Sequence, residues 1–260
     1  MIQVKNPAQL SKMRSAGHLL YEVMCRIREV IRVGETTAAI DAFAEEIIRR
    51  NHAIPSFLNY PGHSPSRPYP ASICASLDDE VVHGIPSEGR VLKEGSILSI
   101  DCGLILDDWQ ADSAFTAPVG KISAQKEKLI AVTQQCFFEG ARQAVNNLRI
   151  GDIGHAVQQL AENHGYGVIR ELTGHGIGRK MHEDPSVPNF GTPGQGVRLK
   201  SGMTIALEPM ISMGAWQVTQ TDDGWTVKTL DGSPCSHYEH TIAIGDGLPE
   251  ILTLPGHVWN

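Results

Sequence analysis

Apolar residues near the start of the chain recur at three- and four-residue spacing. Leu10, Met13, Ala16, Leu19, Leu20, Val23, Ile27 and Val30 or Ile31 form one stripe, so a helix with one buried face is predicted from Asn6-Pro7 to about Val30. Val33-Gly34 ends it, and a second helix is predicted from about Thr37 to Arg50. The pattern then changes to short apolar runs separated by turns: Ser72–Ser76, Glu80–Val82, Ile97–Leu106 and Trp109–Val119, which read as strands. A helix returns from about Ala124 to Asn146. Gly151 is expected to break it, and a fourth helix to follow from about Ile153 to Asn163. Further strand-like runs are Gly167–Leu172, Met203–Met213, Trp225–Thr229, His237–Ile244 and Ile251–Leu254.

Helix, helix, strands thus occurs twice. Arg32-Val33-Gly34-Glu35 falls, without a gap, on Arg149-Ile150-Gly151-Asp152, and Phe43-Ala44-Glu45 on Leu160-Ala161-Glu162. An α+β domain covering residues 1–260 is expected, with related halves at about 7–120 and 124–245 meeting at a cleft where a ligand can sit. The proline-rich stretch Tyr60 to Pro70 is either a plain excursion or a wall of that cleft.

Four acids break the apolar strand patterns: Asp101, Asp112, Glu208 and Glu239. If Asp107-Asp108 is a two-residue turn, the flanking runs form a hairpin. Asp112 then faces Gly103, with Asp101 diagonal to it on the same face, and Ile100, Cys102 and Leu104 point the other way. Glu208 follows Thr204-Ile205-Ala206-Leu207, and Glu239 leads Thr241-Ile242-Ala243. A buried, unpaired carboxylate is costly, and two close together resist ionisation. A divalent cation removes both costs.

Thr173-Gly174-His175-Gly176-Ile177-Gly178 supplies an imidazole in what reads as a glycine-rich turn. The glycines permit positive φ and close approach by other groups. His182 follows seven residues on. One imidazole and four carboxylates suit two divalent ions such as Mn, Fe, Co or Zn, and such pairs hydrolyse amides, esters or phosphates. His83, in Val82-His83-Gly84-Ile85-Pro86, sits where a strand gives way to a turn and can project into a cleft. The sequence holds no GxSxG, HExxH or P-loop pattern.

Composition narrows the class further. Of the 260 residues, 41% are apolar and 20% charged, and the net charge is −7. These are the proportions of an ordinary globular protein, without the basic excess of a general nucleic-acid or membrane-surface binder. No direct nucleic-acid site and no membrane span are expected. The five cysteines are scattered with no CxxC pair, which fits reduced thiols in a cytoplasmic protein. The polar N-terminus is not a signal peptide.

Taken together, these motifs resemble the type I methionine aminopeptidases of pita-bread (creatinase/aminopeptidase) fold. The resemblance rests on Val82–Pro86, Gly174–Gly178, Met203-Thr204, Glu208-Pro209-Met210, Asp223–Thr229 and Tyr238-Glu239-His240-Thr241, and runs nearly the length of the chain. It implies two pseudo-twofold related halves around a central antiparallel sheet, and removal of the initiator methionine from nascent chains when the next residue is small. It also implies two divalent metal ions (Fe, Mn, Co or Zn). Asp101 binds one of them, Asp112 and Glu239 bridge, and His175 and Glu208 complete the other. A metal-bridged hydroxide attacks the scissile carbonyl with Glu208 as general base. His182 hydrogen-bonds the carbonyl or its oxyanion, and His83 contacts the substrate backbone and the leaving amine. For the methionine side-chain pocket, Tyr60, Cys74 and Trp225 match the family pattern. Phe57, His63 and Met181 stand where cysteine, tyrosine and phenylalanine are expected, which bears on substrate range.

The chain lacks a Cys/His-rich N-terminal extension, like the short bacterial form. A monomer is expected, with nascent N-termini as substrate and the ribosome as a candidate partner. Two rival readings are a related pita-bread peptidase of other specificity, such as one cutting before proline, and a non-catalytic binding module of the same fold. The second predicts broken ligands, and all five are present.

Overall fold

The computed structural model describes residues 2–61 and 67–259. Two helices come first, α1 (Pro7–Val30) and α2 (Thr37–Arg50). Five strands follow: β1 (Ile54–Pro55), β2 (Ile73–Leu77), β3 (Glu80–Val82), β4 (Ile97–Leu106) and β5 (Trp109–Pro118). The second half opens with α3 (Ala124–Arg142) and α4 (Ile150–Asn163). Its strands are β6 (Gly167–Val168), β7 (Gly174–Gly176), β8 (Glu183–Val187), β9 (Thr204–Leu207), β10 (Met210–Ser212), β11 (Val218–Gln220), β12 (Val227–Thr229), β13 (Cys235–His237), β14 (Glu239–Ala243) and β15 (Glu250–Ile251).

Local signals set the helix starts. Asn6 accepts from the Gln9 amide while the Gln9 side chain accepts from the Asn6 amide, with Pro7 in the first turn. Thr36 and Ser123 cap α2 and α3.

Among the described residues the main sheet has nine strands, ordered β1-β4-β5-β14-β9-β7-β8, with β2 beside β4 and β15 beside β14; every pairing is antiparallel. One face is covered by helices. Leu20, Val23, Ile27, Ile40 and Ile48 pack on Leu98, Ile100, Cys102 and Leu104. Phe137, Ala141 and Ile153 pack on Ile205, Leu207 and Ile242. Each fully buried aliphatic side chain here contributes roughly 2 kcal/mol. Strand alternation sends Asp101, Asp112, Glu239 and Thr241 to the opposite face.

The hairpin register is as expected. Gly103 faces Asp112, and the turn residues Asp107 and Asp108 have φ of 48° and 69°, the left-handed pair of a type I′ turn.

Several elements differ from the expectation. The third helix stops at Arg142, short of Asn146, and α4 starts at Ile150, so Gly151 lies inside its first turn instead of before it. Gly151 is there for close packing: a Cβ would collide with the carbonyl oxygens of Thr192 and Gln195. The run Met203–Met213 is cut at Pro209, which has no N–H to give to a ladder, and its two pieces join different sheets. The run His237–Ile244 likewise divides into β13 and β14, and Gly167–Leu172 shortens to β6. His175 lies in a strand, β7, and not in a turn. Neither flanking glycine has positive φ. They are needed because Ala206 O and Asp184 O occupy the places where their Cβ atoms would be.

Candidate metal centre

Five neighbouring strands each bring one side chain to the open face of the sheet. Asp101 comes from β4, Asp112 from β5, Glu239 from β14, Glu208 from the end of β9 and His175 from β7. Asp101 and Glu239 both pair with Ala114 from opposite sides. His175 and Thr241 likewise both pair with Ala206. The Thr241 hydroxyl accepts from the Asp112 amide at 3.0 Å and donates to the Asp112 carbonyl at 2.9 Å, which ties β5 to β14 at the acid.

His175 Nε2 is 3.8 Å from Asp112 Oδ2 and 3.6 Å from Glu208 Oε1. One ligand atom each from Asp112, His175 and Glu239 lies within 4.8 Å of the others. His175 Nδ1 lies 2.9 Å from the Gly176 carbonyl, so a neutral ring that donates there leaves Nε2 free to accept a cation.

The electrostatics are those of acids confined together. Burial pushes Asp101 up to about 7. Burial also raises Asp112, Glu208 and Glu239 well above the carboxylate range, and their neighbouring carboxylates raise them further. Burial, with His182 alongside, holds His175 down at about 3, so its ring is neutral at ordinary pH. Asp101 Oδ1, Asp112 Oδ1 and Glu239 Oε1 are buried and have no hydrogen-bond partner in the protein. Orphaned oxygens converging beside a free imidazole nitrogen fit a divalent cation: its charge would satisfy the oxygens and remove the repulsion.

The cluster lies in a cavity of about 830 Å³ lined by, among others, His83, His182, Phe57, Tyr60, Cys74 and Trp225. His83 closes β3 with φ of 60°, and its ring meets Trp225 edge-on, 6.1 Å between centroids. His182 stands 4.3 Å from His175, ring to ring, and its Nδ1 is 2.6 Å from the Tyr60 hydroxyl. Met181 is buried beneath the cavity with Met13, Trp109 and Ile177, against which Phe57 and Tyr60 pack. A Cβ on Gly103 would lie 2.6 Å from Met181 Cε and 3.1 Å from Phe57 Cε1, so the glycine makes room for both. His63 lies outside the described residues.

Two residues of the site went unnoticed in the sequence. Tyr69 lines the cavity, 5.1 Å from Trp225, and its hydroxyl donates to the carbonyls of Ile73 and Gly84. Of the proline-rich stretch, the described residues Tyr60, Arg67 and Tyr69 line the cleft. The Tyr69 amide donates to Tyr60 O, and the Asn59 amide to Tyr69 O. The repeated Tyr-Pro dipeptide at 60–61 and 69–70 was the available signal. His237, fully buried, sits 3.9 Å from Glu208 Oε2 and 3.8 Å from Glu239 Oε2. It precedes Glu239 by two residues in a run read as one strand, and nothing in the sequence set it apart.

An antiparallel sheet carrying four carboxylates and an imidazole over a deep cavity defines a metal-dependent hydrolase. Residues 11–246 match the model of metallopeptidase family M24, and the chain belongs to that family, with the pita-bread fold and the use of a divalent metal that membership implies. A methionine aminopeptidase of Clostridium acetobutylicum is 48% identical, over 98% of this chain and 99% of its own. The crystal structure of a methionine aminopeptidase from Thermotoga maritima superposes with a TM-score of 0.92 at 40% identity, covering 97% of this chain and 99% of its own. An Xaa-Pro dipeptidase from Bacillus anthracis shares the fold alone, with a TM-score of 0.75 at 19% identity. Among the described residues no helix is long and apolar enough to cross a membrane.

Proposed function

We propose that this protein is a methionine aminopeptidase that removes the initiator methionine from nascent polypeptides when the second residue is small. The observation that carries the reading is the convergence of Asp101, Asp112, His175, Glu208 and Glu239, with unpartnered oxygens, at the floor of a cavity that also has an aromatic pocket. Asp101, Asp112, His175, Glu208 and Glu239 would together hold two divalent ions. Fe, Mn, Co and Zn all suit this donor set. Such ions, when bound, polarise a carbonyl and lower the pKa of water.

The chain's own side chains do the rest. Glu208 takes the proton of the attacking water and passes it toward the departing amine. The His182 ring, with Nδ1 engaged by Tyr60, offers Nε2–H to the carbonyl oxygen as charge develops there. His83 contacts the substrate backbone and the leaving amine. Phe57, Tyr60, Cys74 and Trp225, together with Tyr69, receive the methionine side chain, and Met181 backs Phe57. A single catalytic domain of two related halves, acting as a cytoplasmic monomer on chains leaving the ribosome, belongs to the same reading.

The test is cleavage of two tripeptides, Met-Ala-Ser and Ala-Pro-Ser, by metal-stripped protein with and without added Mn, Fe or Co under anaerobic conditions. Metal-dependent release of methionine alone is expected. Cleavage of the Ala-Pro peptide alone would overturn the specificity while keeping the metal chemistry.

A further inference from the structure

The cavity has a second wall with no part in the chemistry above. It is formed by β11, Val218–Gln220, in a cavity that Leu172 and Thr173 also line. β11 is the outer strand of a three-stranded sheet ordered β11-β12-β3, and among the described residues it pairs only with β12.

The register fixes which backbone groups are used. The Leu230 amide donates to Gln217 O, and the Thr221 amide to Thr226 O. With Thr219 opposite Lys228, residues 217, 219 and 221 turn their N–H and C=O groups toward β12. Alternation then aims those of Val218 and Gln220 outward, along the free edge. The side chains of Val218, Gln220, Val227 and Val82 share the face that lines the cavity, so this edge continues directly from the catalytic pocket.

Exposed edges invite pairing and are normally blunted by proline, charge or a cover. Two edge strands of the main sheet are blunted in this way: β1 carries Pro55, and β8 carries Pro185 and two acids. The stretch Gln217-Val218-Thr219-Gln220-Thr221 has neither proline nor charge, and three of its five residues are β-branched. Thr219 and Gln220 are exposed.

We infer that the free edge of β11 is a docking strand for the substrate itself: the polypeptide beyond its first two residues adds to it as a further strand, held by main-chain hydrogen bonds. This rests on the aminopeptidase reading and extends it to the part of the substrate that must be accepted whatever its sequence. Main-chain pairing has that property, because every residue but proline offers the same donor and acceptor.

The experiment uses the metal-loaded protein and a hexapeptide beginning Met-Ala, N-methylated at one backbone amide at a time from the third residue on. Strand pairing predicts an alternating pattern: methylation of every second amide raises KM roughly tenfold, and the amides between are tolerated. Val218→Pro removes the outward N–H at an edge position that proline can occupy. In that variant the substrate carbonyl facing Val218 loses its donor, so KM for the unmethylated peptide should rise by a similar factor, while the alternating methylation pattern persists because the Val218 carbonyl still accepts. An unchanged KM would count against the pairing, and urea unfolding establishes that the variant is folded.

A KM that ignores methylation at every position would overturn the inference while leaving the aminopeptidase reading intact. If no peptide is cleaved, hydrogen exchange decides without turnover. The product pentapeptide beginning with Ala should slow exchange at the Val218 and Gln220 amides, and unchanged exchange there would again overturn the proposal.

Discussion

At the scale of single residues, the acids and His182 are expected to contribute in different ways. Asp101 and Asp112 sit close enough to share a proton in the metal-free protein, so their charges are tolerable only opposite a cation. Asp101→Asn removes one charged oxygen from that arrangement. Metal content and methionine release should fall together by at least tenfold, as read by elemental analysis of dialysed protein beside an activity assay. Full activity in that variant would remove Asp101 from the ligand set. His182 is different in kind: its ring packs against His175 and its Nδ1 is engaged by Tyr60. His182→Ala should keep its metal yet lose roughly a hundredfold in kcat, the usual cost of a lost oxyanion donor. Loss of metal from that variant would contradict the role. These residues could be found in the sequence because a lone acid in an apolar strand is conspicuous. Tyr69 was not legible, since its place at the wall depends on backbone bonds to Asn59 and Tyr60 that spacing does not reveal.

At the scale of elements, the long helices and the β4–β5 hairpin were legible because each repeats its signal over many residues. Two- and three-residue strands such as β1, β7 and β11 were not. Their existence depends on partners distant in sequence, and local periodicity carries no trace of those. The segment after β7 shows the same dependence. Lys5, from the chain's start, forms a buried ion pair with Glu183 at 2.7 Å, with the side chains 3% and 6% exposed. The other Glu183 oxygen accepts the amides of Arg179 and Lys180 at 3.0 and 3.3 Å. The N-terminal segment therefore braces the turn that carries Met181 and His182. Lys5→Met leaves the Glu183 carboxylate buried without its cation, and should cost about 3 kcal/mol of unfolding free energy in urea. Because the brace lies next to His182, kcat should fall while bound metal stays. A stability loss under ~1 kcal/mol would mean the pair is solvated and holds nothing.

At the scale of the whole molecule, the metal centre is bound up with folding, since the five strands that meet there are the middle of the main sheet. In the metal-free protein, Asp101 titrates at about 7 instead of its ordinary 3.8. A raised carboxyl pKa stabilises the fold below the unfolded value, and that contribution is lost as pH rises through the folded one. Asp101 thus makes the metal-free protein weaker across the interval from about pH 4 to 7. The buried imidazoles of His175, His237 and His240, each held at about 3 against an ordinary 6.5, act in the opposite sense: their contribution is lost as pH falls. A comparison of metal-free and metal-loaded protein separates the two effects. These histidines stay neutral in both forms above pH 5, whereas the carboxyls must give up protons to bind a cation. Added Mn or Co should therefore raise Tm little at pH 5 and progressively more toward pH 8. Affinity should gain at least tenfold per pH unit below 7, one factor of ten for each proton displaced. Titration calorimetry in buffers of different ionisation heat counts those protons directly. A metal-induced rise in Tm that is flat from pH 5 to 8, with no proton released, would mean that the acids are ionised without metal and that burial does not set their charge.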